Sequence, residues 1–516
     1  MNGAETLADT LLASGVTVCF ANPGTSEMHF VSALDARPEM RCILCLFEGG
    51  VTGAADGYFR MSGQVAATLL HLAPGFANGI ANLHNARKAG SGVMNVMGDH
   101  ASYHLRHETP LKGDTEAMSR TVSHWTRKTA DAGSVAQDGA AAVRAARSAN
   151  GQIATLILPA DAAWGEAAEA VVAAAPPVLP RPTAAQVAAA AEALKVPGAV
   201  LFLDGPVLRP EHAIWAARVQ KATGCRLMTQ YFAARIPRGE GALRLQRLSY
   251  RIDDAMADLK GVPELVLLGA TRPAGFFAYP GKPSLSEDPS SRVTELCTPE
   301  MDGVWTLQAL AAELGAAALE VTDADLQPHM RSSLPAGPIT PAAIGQSVAA
   351  LMPAGTVVVD EAITASAPLA AATEKARAHD WLNVTGGAIG FGLPVAVGAA
   401  VACPDRRVLA LQADGSAMYT LQSFWTMARE ELDVTVVILA NRGYQILRLE
   451  MLNLGLPPAG GNARRMVDVA GPELDWVALA KGHGVEAIRV TDMDAFNAAL
   501  EAGLGRKGPY LIEAVL

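Results

Sequence analysis

Short apolar runs alternate along this chain with longer stretches of small and apolar residues at helical spacing. Residues 434–440 (VTVVILA) and 408–412 (VLALQ) carry almost no polar position, which is the pattern of strands covered on both faces of a parallel sheet. Residues 42–47, 68–72, 152–159, 199–203, 265–269 and 357–360 repeat that pattern. The intervening segments predict helices, among them 184–194, 419–431 and one that begins near Glu48. Strand and helix in alternation indicate α/β units built on parallel sheets. Two stretches interrupt the alternation. The proline-rich segment 173–182, which follows an alanine-rich helical segment, reads as an extended linker, and a second linker runs near 332–341. The expected organisation is three α/β domains, at 1–165, 183–330 and 340–516.

Composition sharpens this reading. The chain has 516 residues, half of them hydrophobic and 18% charged, enough for three cores of ordinary size. Its formal net charge of −10 is spread without basic clusters, and aromatics make up 5%, so a nucleic-acid partner is not expected. The N-terminus lacks a basic region followed by an apolar core, and no apolar stretch approaches membrane-spanning length. Six scattered cysteines fit a reducing cytoplasm; Cys42 and Cys45 have a metal-like spacing but are expected to be buried thiols.

Chemistry enters at the strand ends. Asp414, in Ala413-Asp414-Gly415-Ser416, follows one predicted strand, and Asn441 ends the next, 27 positions later. In a parallel sheet both fall at the carboxyl edge, where ligands bind. A carboxylate, an amide oxygen and nearby carbonyls form an oxygen site of the kind Mg²⁺ takes, completed by phosphate and water. An ordinary crossover with polar strand ends is the alternative. Near the N-terminus, Glu48 stands at a strand-to-helix junction, where a carboxylate also serves as a helix cap. Gly49, Gly50, Gly53, Ala54, Ala55 and Gly57 follow it. Each helical glycine costs about 1 kcal/mol against alanine, so their number signals close approach of another backbone or a ligand.

The Asp-Gly-Ser and Asn-x-Gly-Tyr motifs at this spacing resemble the diphosphate-binding motif of thiamine diphosphate enzymes. The ordered set 22–25 (NPGT), 47–50 (FEGG), 55–58 (ADGY) and 71–75 (HLAPG) is similar to the pyrimidine-binding domain of the benzoylformate decarboxylase and acetolactate synthase branch. The resemblance covers nearly the whole chain. It implies pyrimidine-binding, central and diphosphate-binding domains in that order, with thiamine diphosphate and Mg²⁺ as cofactors. It implies that Glu48 controls the tautomer of the cofactor's aminopyrimidine and that Ile389, in the glycine-rich turn 386–394, props the cofactor into a bent shape. Thr364, Gly387, Gly415, Ser416, Gly443 and Tyr444 join the cofactor site, with Asp414, Asn441 and Gly443 as metal ligands. Active sites would lie at a dimer interface, in a homodimer or homotetramer.

The same resemblance ranks the reactions. His71 matches an active-site histidine of benzoylformate decarboxylase, which acetolactate synthases lack, and Thr25 matches a serine that holds the substrate carboxylate. Each could instead cap a turn. The central segment 275–280 lacks the decarboxylase's second histidine, no His-His pair is present, and Ala413 and Ala440 replace the usual first Gly and first Asn of the diphosphate motif. Ile446, Leu447 and Glu450 are expected to line the substrate pocket, with 449–462 as a mobile lid hinged at its glycines and prolines. Glu450 argues against a purely aromatic substrate. His100, His104 and His107 hint at a metal, but a polar loop at the cofactor mouth is favoured. The expected function is a decarboxylase or carboligase acting on a 2-oxo acid, with or without an aldehyde acceptor. The alternatives are an acetolactate synthase-like transferase and a cofactor-binding homologue without turnover. No firm FAD site is read.

Overall fold

The computed structural model describes residues 1–516 and builds the chain around three sheets. The first has six parallel strands in the spatial order Arg41–Leu44, Val18–Asn22, Ala66–Leu70, Val93–Asp99, Ile153–Pro159 and Trp125–Lys128. Numbered by their own sequence order, these run 2-1-3-4-6-5. The central sheet places Val200–Leu203 between Arg226–Thr229 and Glu264–Leu268, with Gln246–Arg247 and Arg292–Cys297 at its edges. The third sheet repeats the 2-1-3-4-6-5 order with His379–Asn383, Thr356–Glu361, Val408–Ala413, Val434–Ala440, Tyr510–Val515 and Glu486–Val490. The outer two units therefore share one topology.

A seventh strand joins the third sheet from outside. Arg235–Arg238, in the central stretch of the sequence, pairs antiparallel with His379–Asn383. Arg235 also forms a bidentate pair with Asp380 and donates to the carbonyls of Arg60 and Met61. The central region is stitched in this way to both outer units.

The glycine-rich helix Glu48–Ser62 is explained by its neighbour. It packs against Gly392–Ala402 closely enough that a Cβ on Gly57 would stand 2.2 Å from the Val395 carbonyl oxygen, and one on Gly398 1.9 Å from that of Ala54. At these two glycines another backbone, not a ligand, occupies the space, whereas Gly49 and Gly53 face the Phe47 and Pro394 side chains. Arg60 ends the same helix in a buried bidentate pair with Asp56 and donates to the Asn383 carbonyl, fixing the first unit against the third.

Several expectations shift. The predicted strand and glycine-rich turn around His71 are instead a strand ending at Leu70 and a helix, Leu72–Lys88. Pro74 is accommodated because it sits in the first turn, where backbone N–H groups have no helical acceptor. The helix expected over 419–431 is confined to Ser423–Arg429, after tight turns. The alanine-rich stretch before the first linker holds only the short helix Ala160–Trp164. Cys45 is buried, but Cys42 is exposed, because Arg41–Leu44 is the edge strand of its sheet. No helix is long and apolar enough to cross a membrane.

Candidate active site

Each outer sheet presents its carboxyl edge to a cluster of polar groups. In the first unit, three residues separate the strand Arg41–Leu44 from a helix that opens on Glu48; Phe47 is extended, and the Glu48 side chain is buried. Asn78, on the Leu72–Lys88 helix, donates to Glu48 Oε2 at 2.9 Å. His71 immediately precedes the first turn of that helix. A Cβ on Gly75 would lie 2.9 Å from Glu48 Oε1 and 3.1 Å from His71 Cβ. Glu48 Oε1 and the His71 Cβ therefore both lie against Gly75. No cation pairs with Glu48 within the chain.

Behind His71 stands a residue that sequence reasoning passed over. Glu27 is buried and accepts from His71 Nδ1 at 2.8 Å, from the Ser26 hydroxyl at 2.5 Å and from the Gly24 N–H at 2.8 Å. Thr25 is exposed, and its hydroxyl makes no hydrogen bond within the chain; Ser26, its neighbour, lies 3.4 Å from His71 Nδ1.

The third unit gathers the second cluster. Asp414 and Asn441 end adjacent parallel strands, as their spacing predicts. Asp414 is buried, accepts from the Gly415 N–H at 2.8 Å and the Arg442 N–H at 2.6 Å, and has no cationic partner. Burial pushes its carboxyl above the usual range despite those donors. Arg442 holds this turn in the left-handed region, with φ of +57°. Asn441 Oδ1 accepts from the Gly443 N–H at 3.1 Å, and the Gly443 carbonyl accepts from Gln445 at 3.0 Å. A buried carboxylate without counter-charge, beside an amide oxygen and carbonyls, fits a hard divalent cation. Gly415 and Ser416 are buried, and the Tyr444 ring lies against Gly415, where a Cβ would meet it at 2.6 Å.

The glycine-rich turn lies between the clusters. Asn85, from the Leu72–Lys88 helix, accepts from the N–H groups of Gly386 and Ala388 at 3.2 Å each and donates to the Ala388 carbonyl at 2.8 Å. Glu361, at the end of its strand, accepts from Gly390, Phe391 and Gly392. Full burial outweighs these three donors and pushes the Glu361 carboxyl up to about 7. Ile389 is thus held between two clamps, half-buried, beside an exposed Gly387.

Central residues complete the surroundings. Thr364 follows Ile363, whose φ is +53°, and lines a cavity of about 1140 Å³ with Ile446, Leu449, Tyr231, Arg247 and Tyr250. Phe276 belongs to an aromatic cluster with Phe232, Tyr250 and Phe277, and reaches within 2.9 Å of a Cβ built on Gly387. The segment lacking the second histidine therefore does reach the glycine-rich turn, with aromatic side chains. Residues 449–453 are the end of a helix, Gln445–Asn453, rather than part of a loop, and the lid segment continues as coil to a second helix, Gly461–Val467. Leu447 is exposed. Glu450 accepts from Asn453 at 3.3 Å, and burial together with the nearby Glu450 carboxylate pushes the Tyr279 phenol up to about 12.

His100, His104 and His107 lie on one loop with successive ring centroids 5.6 Å apart and the rings tilted by 51° and 53°. His100 Nε2 lies 3.2 Å from the Thr109 hydroxyl, and His107 Nε2 accepts from Arg106. No group of three or more His, Cys, Asp or Glu side chains is arranged to hold a metal ion. No hydrogen bond or ion pair links Glu48 or His71 to Asp414 within one chain.

The chain matches known proteins over its whole length. Residues 1–120 match the thiamine pyrophosphate enzyme N-terminal TPP binding domain, and 364–514 the C-terminal TPP binding domain. A Mycobacterium tuberculosis protein named "Putative acetolactate synthase large subunit IlvX" is 47% identical, over 100% of this chain and 99% of its own. Benzoylformate decarboxylase of Pseudomonas aeruginosa is 28% identical, over 98% and 97%. In fold, the chain superimposes on the Rhodococcus jostii RHA1 thiamine diphosphate-dependent 4-hydroxybenzoylformate decarboxylase with a TM-score of 0.85 at 24% identity, covering 99% of this chain and 98% of that one. On sequence, domain order and fold together, this chain is a member of the thiamine pyrophosphate enzyme family, in the group that holds acetolactate synthase-like and benzoylformate decarboxylase proteins.

Proposed function

We propose that this enzyme is a thiamine diphosphate- and Mg²⁺-dependent decarboxylase or carboligase of 2-oxo acids. The observation that carries the reading is the convergence of Glu48 and His71 on Gly75. When bound, thiamine diphosphate supplies the electron sink for loss of carbon dioxide. Glu48, buried and steadied by Asn78, holds a proton at Oε1 or gives it up to a basic nitrogen facing it. His71 moves a second proton, to or from the reacting carbon of the substrate. Thr25, on the turn beside Ser26, is available to the substrate carboxylate. Asp414, Asn441 and the Gly443 carbonyl would hold Mg²⁺, and Gly387, Ile389, Gly415, Ser416, Tyr444 and Thr364 would surround the cofactor. Ile446, Leu447 and Glu450 would face the substrate.

As the family resemblance implies, the working site would combine the first unit of one subunit with the third of another, which would make a homodimer the smallest active form. The domain limits we assign are 1–165, 183–330 and 340–516.

Product analysis by NMR tests the reading, with the protein, thiamine diphosphate, Mg²⁺ and a panel of 2-oxo acids, with and without an aldehyde. Aldehyde and carbon dioxide, or a hydroxyketone when the aldehyde is present, are expected. The 47% identity to a protein named as an acetolactate synthase subunit favours a second reading, condensation of two 2-oxo acids. Acetolactate from pyruvate alone would establish that reading instead.

A further inference from the structure

His71 is held from one side only. Its Nδ1 meets a carboxylate whose other bonds are already made, and no protein group pairs with its Nε2. A carboxylate accepts and does not donate, so the proton of a neutral His71 must sit on Nδ1. We infer that Glu27 is a positioning residue that keeps this proton on Nδ1 and leaves Nε2 free to take up and return protons. The inference rests on the proposed role of His71.

The surroundings are shaped for this pair. Glu27 exposes 2% of its side chain and His71 20%, so the carboxylate is shut away from water while the ring keeps an open side. Two glycines make room. A Cβ on Gly24 would stand 2.0 Å from His71 Nδ1, and one on Gly98, near the end of the Val93–Asp99 strand, 1.8 Å from Glu27 Oε1. The Ser26 hydroxyl and the Gly24 N–H occupy lone pairs of the carboxylate and fix its plane. Directly after His71, Leu72 is fully buried with φ of +45°, a conformation that costs of order 1–3 kcal/mol for a residue with a side chain and persists where the surroundings impose it. A helix-capping histidine would bond the first turn's N–H groups, yet His71 makes no side-chain capping bond.

The test uses full-length protein labelled with ¹⁵N-histidine, without substrate. Two-bond ¹H–¹⁵N spectra across the neutral range report the tautomer of each ring, and the signal absent from His71→Ala assigns His71. Neutral His71 is expected as the Nδ1–H form in the wild type and as a mixture shifted toward Nε2–H in Glu27→Gln. An Nε2–H form in the wild type, or an unchanged tautomer in Glu27→Gln, overturns the inference. The wild-type measurement decides even where the variant fails to fold. On any 2-oxo acid that turns over, Glu27→Gln is expected to lower kcat about 10- to 100-fold with KM within threefold, and Glu27→Asp to recover part of the loss. If no acid turns over, the functional reading fails while the tautomer result still stands or falls alone.

Discussion

The first and third sheets share one strand order, and what they carry in matching positions differs. Beyond the first strand stands Glu27 in one unit, and at its end Glu361 in the other, both buried carboxyl groups that accept glycine N–H groups. After the second strand come Glu48 and the glycine-rich turn around Ile389. After the third come His71 and Asp414, and at the end of the fourth come Asp99 and Asn441. One edge collects carboxyl groups and an imidazole. The other collects oxygen acceptors and a backbone cradle. The shared topology is a rack with equivalent slots, and the chemistry depends on which side chain fills each slot.

Breaking either edge should have a different signature. The largest expected effect is from Glu48→Gln, which should lower kcat at least 100-fold while thiamine diphosphate binding, measured calorimetrically, stays within a few-fold. Unchanged turnover would remove Glu48 from the proton chemistry. Next, Asp414→Asn should weaken Mg²⁺-dependent cofactor binding by about 10- to 100-fold without loss of fold, read by titration with and without Mg²⁺ and by circular dichroism. Cofactor affinity that ignores Mg²⁺ in the wild type would rule out the metal site.

Two smaller effects sharpen the comparison. Gly57→Ala, at the backbone contact between the units, should cost about 1–3 kcal/mol in denaturant unfolding, because its Cβ would meet the Val395 carbonyl. The subtlest effect is pH dependence at Glu361. Its folded-state value, about 7, lies above the ordinary glutamate value of 4.5, so the folded state holds this proton more tightly than the unfolded state. Its contribution to stability is complete below about 4.5 and is lost as pH rises through about 7. Glu361→Gln should therefore gain on the wild type, by roughly 1–3 kcal/mol, between pH 5 and pH 8 in paired unfolding curves. A constant difference between the two proteins would show that Glu361 does not titrate in that window.

The elements legible in the sequence were those set by local pattern. Val434–Ala440 and Ala184–Leu194 fall where their apolar runs predict, and Asp414 and Asn441 stand at neighbouring strand ends because a crossover of that length leaves little choice. Pro74 and two nearby glycines concealed a helix, since composition marks breakers but not their place within the first turn. Glu27 was illegible for another reason. Its partner lies 44 residues away, and only the pairing of Val18–Asn22 with Ala66–Leu70 brings the two strand ends together. The aromatic cluster around Phe276 is likewise a product of tertiary packing, drawn from three separate stretches of the central region.

The strand Arg235–Arg238 sets a limit on how such a protein can be cut and recombined. Proximity in sequence assigns it to the central region, yet its hydrogen bonds seal the rim of the third sheet. A fragment begun at the second linker would leave His379–Asn383 with a bare row of backbone groups, an invitation to pair with other chains. During synthesis the same strand leaves the ribosome well before its partner and must wait for it. Gene fusions or trimmings that treat the three regions as interchangeable modules would therefore yield sticky fragments unless they carry this strand along.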